Sequence, residues 1–261
     1  MSGGRGARTR ALALALAALA AGTAAAAIPS AEKLTGAVAE ANRKAGRAKP
    51  LLLEVTLRDA SGGALATGTL ASHPTGLARL ELRTPEGLER HLLQGSQYAA
   101  SRNGSLLDAP RPLLPPLFLL QADSGASLRA ALASFGVVAS ASHLGLADDR
   151  DCFVIGERAP RGAPAGPAAP APAAPDPPSL APGIPSIWLE IGSLDWVEID
   201  GVGGIRYRLG PSASFEGVRM PRWVEVQAPG EAPLRLEIDR VARANAPAAA
   251  FGVEWLTTSA P

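Results

Sequence analysis

The chain has 261 residues, 25 Lys and Arg against 24 Asp and Glu, and an apolar share of 47%. Charges that cancel this closely, with no clustered basic stripe, exclude a nucleic-acid surface, while the apolar share suffices for an ordinary buried core. A single cysteine, Cys152, excludes an internal disulfide, so a core has to supply the stability.

Three arginines, Arg5, Arg8 and Arg10, precede an uncharged Ala/Leu run from Ala11 to Ala27. A basic start, a short apolar stretch and small residues at Ala25 and Ala27 make a secretory signal peptide over residues 1–27, predicted to be cut before Ile28. The run is at the short edge of the roughly 17 to 25 residues that a spanning helix needs, which argues against a retained anchor. No cysteine follows the cut for lipid attachment. Residues 28–261 are therefore expected to be a soluble periplasmic protein of one domain.

Ser30 caps a predicted amphipathic helix over Ala31–Ala45, with Leu34, Val38, Ala41 and Ala45 on one face, Glu32 in the first turn, Arg43 and Lys44 in the last, and Gly46 as the stop. Period-two alternation follows. Leu53, Val55 and Leu57 alternate with polar neighbours, Ser61-Gly62-Gly63 reads as a turn, and Ala78, Leu80 and Leu82 alternate with Arg79, Glu81 and Arg83. Later strands carry Ile187 and Leu189 opposite Trp188, then Val197 and Ile199, Ile205 to Leu209, Trp223 to Gln227, and Leu234 to Ile238. A last short strand is expected to hold Phe251, Val253 and Trp255. Many short strands with little helix between them predict a sandwich or a barrel.

Two segments interrupt the strands. Pro110–Gly136 opens with PRPLLPPLFLLQ, whose prolines rule out a central strand, and turns helical behind Ser124 with Leu128, Leu132 and Phe135 on one side; it reads as a cover over the sheet. The Ala/Pro/Gly tract over residues 158–185 has little to bury and is expected to be a flexible loop linking two strands of the same sheet.

Sites for bond-making chemistry are not evident. His73, His91 and His143 lack metal-ligand spacing and read as surface or loop residues; Asp148, Asp149 and Asp151 lack the ladder of a calcium loop. Gly201-Val202-Gly203-Gly204 precedes a strand rather than the helix that a phosphate loop needs, and Cys152 is followed by apolar residues instead of an activating base. No cofactor, no metal and no enzymatic activity are expected.

The stretch Gly68–Tyr98, GTLASHPTGLARLELRTPEGLERHLLQGSQY, reads as two half-buried strands with landmarks at Pro74, Arg79, Pro85, Gly95 and Tyr98. That spacing resembles the LolA/LolB-like lipoprotein-carrier superfamily, with looser likeness at Ser186-Ile187-Trp188-Leu189 and Ala250-Phe251-Gly252-Val253. The resemblance implies a mainly β fold with few helices (α+β), in which a curved antiparallel sheet forms an incomplete β-barrel covered by an N-terminal helix and a lid-like helical segment. It also implies lipid or lipoprotein acyl chains as ligands, an inner-membrane donor and an outer-membrane acceptor as partners, a monomer, and Arg79 as the residue that tethers the lid. Leu53, Val55, Leu57, Leu80 and Leu82, with Leu117, Phe118 and Leu119 from the cover, are the expected lining. Each of these alone reads as core; as a group they offer more apolar face than two short helical segments fill, which predicts an open groove. Arg79 has a second reading, facing solvent beside Glu81 and Arg83. The same fold without transport, as an envelope sensor or scaffold, is the alternative function.

Overall fold

Local chemistry sets the first element as the sequence predicts. In the computed structural model, which describes residues 28–157 and 183–258, helix α1 spans Ala31–Lys44. The Ser30 hydroxyl accepts the Lys33 N–H, and Leu34 and Val38 are buried together with Thr35 and Asn42. The predicted signal peptide and most of the Ala/Pro/Gly tract lie outside the described residues.

Six strands follow as a meander: β1 (Leu51–Arg58), β2 (Ala64–His73), β3 (Leu77–Thr84), β4 (Gly87–Gln94), β5 (Gln97–Arg102) and β6 (Ser105–Leu106). Asp59 shapes the first turn, its carboxylate accepting from the Ser61 N–H and hydroxyl and from the Gly63 N–H. Gly68–Tyr98 carries more than the two strands expected of it: the end of β2, all of β3 and β4, and the start of β5. Thr84 pairs with Gly87 across Pro85-Glu86, so a two-residue turn divides what alternation alone joins.

The second half contains β7 (Ser142–Ala147), β8 (Arg150–Gly156), β9 (Ser186–Glu190), β10 (Trp196–Asp200), β11 (Arg206–Leu209), β12 (Ser212–Phe215), β13 (Val218–Pro221), β14 (Trp223–Gln227) and β15 (Leu234–Arg243). Thirteen strands form one antiparallel sheet in the order β6-β5-β4-β3-β2-β1-β15-β14-β11-β10-β9-β8-β7, while β12 and β13 pair as a separate ribbon. The two halves meet at β1 and β15, where Leu51 lies opposite Arg243 and Arg58 opposite Arg235. Gly156 lies opposite Ser186, so the tract begins and ends on neighbouring strands.

The sheet bends instead of closing. The register shifts opposite Glu54/Val55 and Leu57/Arg58 leave one extra residue in each partner strand, Asp239 in β15 and Leu65 in β2, and each increases local twist and bend. At Gly68 the bend is tight enough that an added Cβ would stand 1.9 Å from the Glu81 carbonyl oxygen, so only glycine fits. The sheet therefore ends at β6 and β7 without joining, which is the expected mainly β architecture with few helices.

Its inner face holds the main core. Leu51, Leu53, Val55 and Leu57 on β1, Leu80 and Leu82 on β3, and Leu236, Ile238 and Val241 on β15 pack under α1, helix α2 (Gly125–Ser134) and the segment before α2. Ser124 caps α2 through a reciprocal pair with Ser127, and Leu128, Leu132 and Phe135 are buried as expected.

The outer face carries two smaller clusters. Ala147, Cys152, Val154, Trp188 and Val197 form one, so β9 is buried on both sides. Gly145 makes this possible, because a Cβ there would meet the Trp188 ring at 2.3 Å. Ala71, Leu92, Phe251 and Leu256 form the other. Here the expected last strand is corrected: Ala248–Phe251 is a 3-10 turn and Glu254–Thr257 a short helix, α3. Pro247 and three alanines favour neither ladder bonds nor a pleat, and burial of Phe251 and Leu256 against Leu92 and Ala71 takes the place of pairing.

Candidate functional site

The eight residues expected to line a groove do come together on the inner face. Leu53, Val55, Leu57, Leu80, Leu82, Leu117, Phe118 and Leu119 are all at most 5% exposed and share one core cluster. In this structure the first part of the Pro110–Gly136 cover lies over the sheet residues among them: every residue from Leu113 to Ala122 is buried. Leu117–Gln121 within it is a 3-10 turn, and Phe118 meets Phe135 edge to face at 6.3 Å. This segment has no strand partner and plugs the inner face.

Polar side chains hold the plug at both ends. At one end Gln121, fully buried, donates to the Lys49 carbonyl at 2.7 Å and accepts from the Ser72 hydroxyl at 2.6 Å. Asn42 reaches from α1 to the carbonyls of Ala122 at 3.2 Å and Leu119 at 3.4 Å. At the other end the Tyr98 hydroxyl accepts the Leu113 N–H at 2.8 Å and stands 2.9 Å from the Arg111 carbonyl and 2.6 Å from His91 Nδ1. Burial pushes the Tyr98 phenol well above its ordinary pKa, so it stays protonated and able to donate.

Behind Tyr98 a short polar chain runs to the surface. His91 Nε2 lies 2.8 Å from Glu89, though off the line of a good hydrogen bond, and Glu89 pairs with Arg102 at 3.1 Å. The Glu89 carboxyl is held below the ordinary value of 4.5 by His91 first and then by Arg102, with burial acting the other way. His91 is 0% exposed, which corrects the expectation of a surface residue; Leu80 is its cross-strand neighbour, and the Tyr98 hydroxyl satisfies its Nδ1 there. His73 is half-buried against the Phe251 ring, and His143 lies on edge strand β7.

Arg79 does donate to a main-chain carbonyl, but not one of a cover over the inner face. Alternation with Leu80 turns it to the outer face, where Nη1 meets the Ala250 carbonyl at 2.7 Å and the guanidinium lies 5.5 Å from the Phe251 ring centroid and 5.2 Å from that of Trp255. In this structure Arg79 thus holds the C-terminal segment. Three neighbours share this work. Arg90 donates to the Trp255 carbonyl at 2.9 Å and to that of Thr258, Gln94 to Phe251 at 2.9 Å, and Ser101 to Leu256 at 2.6 Å.

Sequence reasoning missed the latches of the plug. Asn42 gave a signal, since it falls four residues after Val38 on the buried stripe of α1; Gln121, ending an apolar run, gave another. Neither identifies its partner.

Among the described residues no group of three or more His, Cys, Asp or Glu could hold a metal ion, and no helix is long and apolar enough to cross a membrane. Cys152 is buried, and burial raises its thiol pKa, which disfavours a thiolate nucleophile.

No family model and no curated protein matches the sequence. Solved structures do match. A LolA superfamily protein from Nitrosomonas europaea is 12% identical, with 87% of this chain and 100% of that one covered and a TM-score of 0.51. A DUF1329 family protein from Desulfovibrio piger is 10% identical over 87% of this chain and 100% of its own, with a TM-score of 0.50. At such identities the likeness is one of fold, and the fold of this chain is that of the LolA-like incomplete barrel.

Proposed function

We propose that this chain is an exported, monomeric lipid- or lipoprotein-binding carrier that takes acyl chains onto the inner face of its sheet, in the space now filled by Leu113–Ala122, and passes them from an inner-membrane donor to an outer-membrane acceptor. The plug is the observation that supports it. Ten consecutive buried residues, rich in leucine and proline, lie on that face without ladder bonds. An acyl chain of about sixteen carbons gains on the order of 12 kcal/mol on leaving water, at about 0.8 kcal/mol per methylene. Replacing the plug by such a chain exchanges one apolar filling for another, so the cost of opening is offset by the ligand. Binding of this kind needs no catalytic group, and the protein is read as a non-enzyme.

A second reading rests on the complete closure of the same face. A core with every lining residue withdrawn from solvent suits a non-transporting envelope module, a sensor or a scaffold, whose contacts are made elsewhere.

Native mass spectrometry of the full chain expressed in a Gram-negative host and purified from the periplasm without detergent tests both. The carrier reading expects a mass beginning at Ile28 and stoichiometric phospholipid or acylated peptide. A lipid-free mass that also ignores added acylated peptide would leave the module.

A further inference from the structure

We propose that the cleft around Arg47 is a binding site for a phosphate-type oxyanion, free in solution or carried as a lipid headgroup. Three parts of the chain converge there: the end of α1 and the turn after it, the β9–β10 turn, and the β12–β13 ribbon. The cleft is about 370 Å³, and Lys44, Arg47, Ser193, Asp195, Ser214 and Arg219 line it. None of these residues belongs to the inner-face lining.

Arg47 is the anomaly. It is 3% exposed, its Nε is buried without a hydrogen-bond partner, and among the described residues no carboxylate lies within ion-pair distance of its guanidinium. The groups that would ordinarily satisfy it are committed elsewhere. Asp195 pairs with Arg219 at 2.5 Å, and Glu40 with Lys44 at 2.7 Å. The carbonyls at the end of α1 already accept main-chain donors: Ala41 from Ala45, Asn42 from the N–H of Arg47 itself, Arg43 from Gly46, and Ala45 from Arg219.

A guanidinium withdrawn from water without an acceptor is strongly disfavoured, and folds keep such charges where something pairs with them. Burial pulls the Arg47 pKa down to about 10, with nearby Asp195 acting against this and Arg219 adding to it. At neutral pH the group therefore remains a cation. Lys44, Arg47 and Arg219 outnumber the one carboxylate lining the cleft, Asp195.

The missing partner is thus an anion with several acceptor oxygens. A phosphate group fits, because a guanidinium fork can grip two of its oxygens while an ammonium meets a third. Lys44 is the group best placed to supply that ammonium, since its side chain is 76% exposed and held only by a surface pair.

The test titrates the full-length exported protein with inorganic phosphate against chloride at constant ionic strength, by calorimetry and by thermal unfolding. In parallel, flotation compares vesicles of phosphatidylglycerol with vesicles of phosphatidylcholine. A ligand that binds only the folded state raises its melting temperature with concentration. Arg47→Met should fold with unchanged or higher stability without phosphate, because it removes an unpaired buried charge, and should weaken oxyanion binding at least tenfold. Lys44→Gln, on the rim, should weaken it several-fold, and it serves if the core variant fails to fold.

Phosphate binding lost in these variants supports the site with a free oxyanion as its source. Binding to phosphatidylglycerol vesicles alone, lost in the same variants, supports it with a headgroup as the source. Wild-type protein that responds to neither, or variants that bind as wild type does, would overturn it. Acyl binding at the inner face enters none of these readouts, so failure here and failure of the carrier reading are separable.

Discussion

Two stretches without strand structure lie on opposite faces of the same sheet, and they are held by different physics. Leu113–Ala122 on the inner face is buried throughout, and its few hydrogen bonds come from uncharged side chains, Asn42, Gln121 and Tyr98. Ala248–Thr258 on the outer face buries only Phe251 and Leu256, and two arginines take three of its carbonyls. The inner cover is kept by surface removed from water, the outer one by charge-assisted hydrogen bonds. An apolar ligand can compete for the first. It has nothing to offer the second.

Variants can break or sharpen that contrast. Phe118→Ala should cost most, about 3 to 5 kcal/mol for a large core truncation, read by urea unfolding. A loss below about 1 kcal/mol would mean that the plug is not part of the core. Arg90→Met should cost about 2 to 3 kcal/mol, since it strips charged donors from the carbonyls of Trp255 and Thr258. Hydrogen exchange should then rise over 248–258 while Leu113–Ala122 stays protected. Exposure of both segments together would erase the distinction.

Gln121→Ala should do the reverse at about 1.5 kcal/mol, leaving the Lys49 carbonyl and the Ser72 hydroxyl unpartnered. Faster exchange should be confined to the plug and its neighbours. Arg79→Leu, half-buried and one of four side chains on its segment, should cost about 1 kcal/mol. Trp255 fluorescence should report it, with no change in lipid uptake; altered uptake would tie the outer segment to the inner face.

The smallest effect is one of pH. Glu89 has a folded pKa below its ordinary 4.5, so its contribution is complete above that value and is lost as pH falls through the lowered folded pKa. Wild type should melt above Glu89→Gln at pH 6, and the gap should close as pH drops below about 4.5. A gap that stays constant into acid would disconnect Glu89 from the chain through His91 to Tyr98.

Most strands were legible because one face of each packs on the core, so alternation survives in Leu53, Val55, Leu57 and in Leu80, Leu82. Where both faces are covered it misleads. Trp188 alternates properly with Ile187 and Leu189, yet nothing local says that Gly145 clears a place for its ring on the far side. Phe251, Val253 and Trp255 alternate as well, but their partners are side chains from β3, β4 and β5, far away in the chain. The apolar lining was legible as a set of residues and illegible as a state. Composition shows that Leu117, Phe118 and Leu119 belong with the sheet, whereas whether they fill it or frame it depends on latches such as Gln121 to Ser72.

The meeting of β1 with β15 also sets an order of events. Within each half, most neighbouring strands are close in sequence, so their pairing closes short loops and can start as the chain appears. The seam that joins them waits for Leu234–Arg243, which follows β1 by well over half of the described chain. Until then the strand that carries Leu53, Val55 and Leu57 has β2 on one side and an unpaired edge on the other, and an edge of that kind is one that a foreign strand can pair with.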